Sequence, residues 1–288
     1  MTTTFIPCSA KLPIIALIAG AFFNKSGVVA ASAYFIGVAS IIVSGIILKK
    51  MSFFAGEPAP FVMELPAYHM PTISNVLRSM WERGSSFIKK AGSVILLATI
   101  FVWFTSSYGF TAEGFGACDM EQSILANIGN AFKFLFVPLG WGDWKASVAT
   151  VTGLIAKENV VGTMGVLYGA GEVAENGWQI FNTMNAEFAG SAAAGYSFLV
   201  FNLLCAPCFA AIGAIKREMN SAKWTWLAIG WQCGFAYVIS LIIYQFGAAM
   251  EGNINIIGLV LAIAAAALLL WLLFRPAEKA PALETVRS

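Results

Sequence analysis

A charged triplet lies in the middle of an apolar, glycine-containing stretch that covers residues 146–168. The triplet, Lys-Glu-Asn at residues 157–159, places ionisable groups where a helix of this composition would meet hydrocarbon. Such groups are expensive in a bilayer, so they normally face a partner, a cavity or a substrate path. Gly153 and Gly162 allow the backbone to bend or another helix to approach closely. We therefore expect a broken or re-entrant helix at this point.

The composition sets the class of protein. Of 288 residues, 59 % are hydrophobic and 11 % are charged, against about 25 % charged in soluble domains. A soluble chain could not hide that much apolar surface, and the alternation of a membrane β-barrel is absent. The net charge of +2 is too small to indicate nucleic-acid binding. We predict an all-α, polytopic helical membrane protein with a broken or re-entrant gate helix.

Several apolar runs have the length of a membrane span, about 20 residues. The predicted spans are residues 27–48, 92–110, 190–215, 224–246 and 254–274, with a partial span before residue 24. The remaining segments are a proline-rich cytoplasmic loop and an amphipathic helix at 51–90, an acidic loop at 169–189 and a polar tail at 276–288. The first residues lack the pattern of a cleavable signal peptide.

The distribution of basic residues predicts the topology. Loops rich in Lys and Arg tend to be cytoplasmic, so residues 49–90 are placed inside. Residues 110 and 190 then both lie outside, which a single crossing at 146–168 cannot achieve. Either residues 128–140 also cross, or the central segment is re-entrant. We favour the second alternative because broken helices with polar groups at the break mark the binding sites of secondary transporters.

The triplet has two interpretations. In the functional one, Glu158 lines a cation path, Lys157 pairs with a carboxylate or caps the broken helix, and Asn159 adds a polar group. In the other, the charges form an internal salt bridge that only fixes the packing.

Two Pro-Cys dipeptides form a second candidate site, Pro7-Cys8 and Pro207-Cys208. A proline within a span frees the carbonyl one turn earlier, which becomes available to a ligand or to water. A thiol beside that carbonyl is a soft donor suited to Fe²⁺, Zn²⁺ or Cu⁺. Cys205 completes a CxxC spacing and is a weaker candidate. The alternative is that each cysteine is a small buried hydrophobe.

Enzymatic motifs are missing from the sequence. It has no GxxxxGK[ST] phosphate loop and no HExxH motif, and its one histidine, His69, lies in the proline-rich loop. Cys118 and Cys233 are expected to be structural. We therefore predict no catalytic site and no covalently bound cofactor.

Five stretches together resemble the membrane half of the ferrous-iron transport protein B family of bacteria and archaea. They occur in the family's order, at residues 7–23, 56–71, 81–95, 153–168 and 191–218. The resemblance covers about residues 1–275. It implies Fe²⁺ import across the bacterial inner membrane through two gate repeats, the second at about 91–168.

The resemblance also bears on single residues. It implies that Cys8 and Cys208, which lie in the family's two Pro-Cys motifs, belong to the iron path. Together with Glu158 they form the predicted set of metal ligands. Cys205 matches no position that can be placed in the family pattern. Asn159 stands where many members have valine, which adds a polar group at the break.

Full members of the family carry an N-terminal GTPase domain, a helical linker and a first gate repeat, none of which this sequence contains. We therefore expect a fragment, the product of a split gene or a truncated reading frame, with GTP hydrolysis on the missing domain or on a partner chain, and an oligomer. Fe²⁺, Mn²⁺ and Zn²⁺ all suit such donors. A nucleoside-transporter-like gate protein, or a membrane scaffold that transports nothing, are the alternatives.

Overall fold

The computed structural model describes residues 2–51, 72–111, 114–119, 122–157, 159–168 and 180–276. Nearly all of them are helical, so the predicted all-α fold is confirmed. The helices, in chain order, are α1 (Leu12–Phe22), α2 (Gly27–Lys50), α3 (Ile73–Ser107), α4 (Ile124–Phe136), α5 (Trp144–Ile155), α6 (Asn159–Leu167), α7 (Phe181–Glu187), α8 (Ala192–Leu204), α9 (Phe209–Met219), α10 (Ala222–Met250) and α11 (Ile256–Phe274). Strands β1 (Tyr108–Thr111) and β2 (Gly114–Ala117) form an antiparallel pair.

Among the described residues, α2, α10 and α11 are long and apolar enough to cross a membrane. The shortest of them, α11, has 19 residues, and at 1.5 Å per residue it reaches about 29 Å, the thickness of a hydrocarbon core. Basic residues mark the ends of two of these helices, with Lys49 and Lys50 in the last turn of α2 and Arg275 directly after α11. The Lys50 ammonium donates to the Leu273 carbonyl, which ties these two ends together.

The boundary expected near residue 90 falls inside a continuous helix. Residues 73–107 form the single 35-residue helix α3, since no proline lies between them and Gly84 and Gly92 do not break a helix by themselves. The predicted span at 92–110 ends in β1 instead of a last helical turn. Likewise, α7 lies within the expected acidic loop. Residues 56–71, with His69, and the tail from 277 lie outside the described residues.

Helix α8 is the centre of the core. Eleven of its thirteen residues are buried, and α1, α2 and α10 pack around it. A carboxylate caps its start, where Glu251 accepts hydrogen bonds from the Ser191 hydroxyl (2.7 Å) and the Ala193 amide (2.9 Å). A helix buried this completely must satisfy the polar groups at its other end within the protein, and that end lies at the candidate site.

The chain bends sharply just before the charged stretch. The helical segments Ile124–Leu139 and Trp144–Ile155 meet at 101°, and a second break separates α5 from α6 beside Lys157. At the bend, Gly140 has a φ of +88°, and a Cβ there would lie 2.0 Å from the Tyr244 ring. The prediction of a broken or re-entrant helix is therefore confirmed, although the bend of 101° precedes the predicted segment at residues 146–168.

Candidate functional site: three breaks between helices at the end of a buried helix

The buried end of α8 is interrupted by a proline. The helix stops at Leu204, the residues Cys205-Ala206-Pro207-Cys208 are non-helical, and α9 begins at Phe209. Because Pro207 has no N–H, the carbonyl of Leu203, four residues earlier, loses its helical donor. A backbone carbonyl that has no hydrogen-bond donor costs free energy in the interior of a membrane protein.

Lys11 supplies the missing donor. Its ammonium donates to the Leu203 carbonyl at 2.7 Å and to the Thr4 carbonyl at 2.8 Å, and the residue is only 3 % exposed. A positive charge at the C-terminal end of a helix is also favoured by the helix dipole. The break after Pro7 is thereby joined to the break after α8, since Lys11 closes the short turn that follows Cys8.

A second buried lysine reaches the same place from the third break. Lys157 follows the end of α5, is 1 % exposed and donates from Nζ to the Cys205 Sγ at 3.0 Å. Neither Lys157 nor Lys11 forms an ion pair with any residue that the structure describes. Burying a charge without a counter-charge is unusual, so this position is a strong candidate for function.

An unpaired amide oxygen lies beside the Lys157 side chain. Asn202 is fully buried and donates to the Phe198 carbonyl at 3.0 Å, but its Oδ1 has no hydrogen-bond partner among the described residues. Gly153 faces both groups, because a Cβ on it would lie 3.8 Å from Asn202 Oδ1 and 4.0 Å from Lys157 Cδ. The site thus contains a thiol and an amide oxygen that can accept, next to an ammonium.

Two lysine side chains, Lys11 and Lys157, bring positive charge to the site where the breaks meet. The ammonium of Lys11 interacts electrostatically with that of Lys157 and with the thiols of Cys8, Cys205 and Cys208. Three of the chain's five free cysteines are thus near enough to Lys11 to interact with it electrostatically. The described residues contain no group of three or more His, Cys, Asp or Glu side chains that could hold a metal ion, and Glu158 lies outside the described residues.

The structure places the other predicted residues at or near the breaks. Cys8 is exposed and follows buried Pro7, while Cys208 is half-buried and precedes the first residue of α9. Asn159 is the first residue of α6. The two glycines differ, because a Cβ on Gly153 would lie 2.5 Å from Val160 whereas Gly162 has nothing within 4 Å. Gly153 thus permits the close contact of α5 with α6, and Gly162 meets no such neighbour.

Two functional candidates were missed in the sequence, Lys11 and Asn202. Each is a polar residue in an otherwise apolar run, which is a signal that the sequence does contain. Their partners come from distant parts of the chain, as the 192 residues between Lys11 and Leu203 illustrate. The signal could have marked them as candidates but could not have named what they bind.

The comparisons with known proteins agree with this architecture. A family model described as the C terminus of ferrous iron transport protein B matches residues 30–83, and the Gate model, described as nucleoside recognition, matches residues 88–222. An Fe(2+) transporter FeoB of Methanocaldococcus jannaschii is 39 % identical over 248 residues, which are 84 % of this chain and 36 % of the relative. The chain belongs to the ferrous iron transport protein B family.

Other members of the ferrous iron transport protein B family show the same extent of match. The Fe(2+) transporter FeoB of Staphylococcus aureus strain COL is 35 % identical over 84 % of this chain and 35 % of its own length. That of Salmonella typhimurium is 32 % identical over 85 % of this chain and 37 % of its own length. The chain spans about a third of the curated relatives it matches. No solved structure matches it.

Proposed function

We propose that this chain forms part of the membrane path of an Fe²⁺ importer in the bacterial inner membrane. The observation that carries the proposal is the meeting of three breaks between helices, at residues 6–11, 156–157 and 205–208, beside the buried Cys205 thiol and two buried ammonium groups. Relatives named as Fe²⁺ transporters match 84–85 % of the chain. These relatives favour iron over the nucleoside alternative.

In this proposal the ligands of the passing ion are the thiols and one carboxylate at the breaks. Cys8, Cys208 and Glu158 hold Fe²⁺ transiently, with Cys205 as a further donor next to Lys157. Thiolate and carboxylate donors suit Fe²⁺ and also suit Mn²⁺ and Zn²⁺. Selectivity among these ions then depends on the shape of the path and on which ion the cell supplies.

The arrangement corresponds to a path closed to cations. A unit charge pair about 4 Å apart interacts by about 4 kcal/mol at an effective dielectric constant of about 20, and a divalent ion doubles that repulsion. Lys157, which already occupies the cation position at Cys205, must therefore leave before Fe²⁺ can enter. Because Lys157 lies between two short helices, a movement of α5 against α6 would withdraw it.

The energy for such a movement comes, in this proposal, from GTP hydrolysis on a GTPase domain or partner chain. This chain is assigned no catalytic role. An oligomer would place several such paths in one complex.

The proposal is tested by Fe²⁺ uptake into cells that contain the chain together with its GTPase part. Cys208→Ser and Glu158→Gln should each lower uptake at least about tenfold, because each removes one ligand of the path. Cys118→Ser, at the strand pair far along the chain from the breaks, is the matched control and should transport normally. Membrane fractions probed for the chain show whether each variant is inserted. Normal uptake by both ligand variants would contradict the proposal.

A further inference from the structure

A cavity of about 370 Å³ lies at the bend before α5. Its lining includes Trp141, Asp143, Glu187 and Tyr244. Tyr244 stands near the end of α10 that is opposite Lys223, and Asp143 caps the start of α5. The cavity is therefore at the predicted outer side, and α5, 12 residues long and thus about 18 Å, leads from it to Lys157.

The charges in the cavity are predominantly negative. The Asp143 Oδ2 accepts from the Lys145 amide at 3.2 Å, and the Glu187 Oε1 pairs with the Lys145 Nζ at 2.9 Å. Asp143 and Glu187 also repel each other electrostatically. Two carboxylates thus share one lysine, which leaves a net negative charge that a cation would neutralise.

A buried donor in the lining of this cavity has no hydrogen-bond partner among the described residues. Trp141 is 2 % exposed, and its Nε1 is unpaired. The rings of Phe136 and Phe198 pack against its indole at centroid distances of 4.3 and 5.1 Å and hold it in place. The buried Tyr168 hydroxyl interacts with the Asp143 carboxylate instead. A buried donor left unpaired indicates that a ligand or water completes the site.

We propose that this cavity binds a hydrated divalent cation before the cation reaches the cysteines. Water in the outer hydration shell of the ion can donate to the Asp143 and Glu187 carboxylates and accept from the Trp141 indole, which accounts for these three groups at once. The carboxylates bind hard, hydrated cations through oxygen, in contrast to the thiols at the deeper breaks. The inference rests on the proposed function for its place in the path, but the site itself can be tested without transport.

The test uses Mn²⁺ as the probe and the purified full chain in detergent. The electron paramagnetic resonance signal of free hydrated Mn²⁺ reports how much ion remains unbound. All variants carry Cys8→Ser, Cys205→Ser and Cys208→Ser, so that binding at these cysteines does not contribute. The outcome is thus independent of the uptake experiment.

Asp143→Asn combined with Glu187→Gln should weaken Mn²⁺ binding at least about tenfold, since both negative charges are removed. Asp119→Asn, which removes an exposed carboxylate outside the cavity, should leave the affinity unchanged. Lys145→Met should tighten binding about threefold or more because it releases Glu187 from its ion pair. A misfolded variant would not gain affinity.

Equal Mn²⁺ affinity in the double carboxylate variant and in Asp119→Asn would overturn the inference. An unchanged affinity in Lys145→Met would overturn it as well, because the net charge of the cavity would then be irrelevant to binding.

Discussion

Lys157→Met is expected to raise the affinity of the purified chain for Fe²⁺ at least about tenfold. In the wild type, the ammonium lies 3.0 Å from the Cys205 Sγ, at the place that an incoming ion would take. Methionine has a similar length and no charge, so the variant removes the competing cation and keeps most of the packing. The Lys157 ammonium also favours the thiolate form of Cys205. Its removal does not weaken metal binding on that account, because a bound metal ion deprotonates its thiol ligand by itself.

Anaerobic equilibrium dialysis of Fe²⁺ against the detergent-solubilised chain measures this gain. Lys157→Arg is the matched control, because it keeps the positive charge and should bind no more tightly than the wild type. Adding Cys205→Ser to Lys157→Met should abolish the gain, since the thiol that the ammonium had covered is then missing. A Lys157→Met chain with unchanged affinity would show that the lysine does not compete with the ion.

Lys11→Met is expected to destabilise the folded chain by about 3 kcal/mol, because the buried Leu203 carbonyl and the partly buried Thr4 carbonyl lose a charged donor. The Leu203 carbonyl is the more sensitive of the two, since Pro207 also denies it a helical partner. Part of the loss is offset because the variant no longer buries a charge. The thermal unfolding midpoint in detergent should fall by about 6 °C.

A double-mutant cycle separates this explanation from a general packing defect. Pro207→Ala restores an N–H four residues after Leu203, so α8 can continue and satisfy its own carbonyl. Lys11→Met should then cost less than about half as much in the Pro207→Ala background as in the wild type. Equal costs in the two backgrounds would mean that Lys11 does not replace the donor that Pro207 lacks.

The breaks themselves were predictable from local chemistry. A charged triplet inside an apolar run predicted the break at Lys157, and a proline in the next run predicted the end of α8 before Pro207. Both features are costly in a continuous span, and this cost is visible within a few residues of sequence. The approximate lengths of α2, α10 and α11 were likewise predictable, from the lengths of their apolar runs.

What joins the breaks could not be predicted, because it depends on contacts between distant segments. Lys11 lies in the predicted partial span before residue 24, where nothing in the sequence indicates that it donates to a carbonyl 192 residues away. The free carbonyl at Leu203 was expected to be available to a ligand, but this lysine occupies it. The bend at Gly140 depends on the Tyr244 ring, a partner from α10 that no local pattern indicates.

Anaerobic Fe²⁺ binding to the purified chain, compared with a Cys8→Ser/Cys208→Ser variant, tests directly whether the Pro-Cys breaks form the iron path. We expect Fe²⁺ to bind to the wild type and to Cys118→Ser, and the double variant to lose at least about 90 % of the binding measured at an Fe²⁺ concentration near the wild-type Kd. Equal binding by all three proteins would contradict the assignment of the Pro-Cys breaks as the iron path.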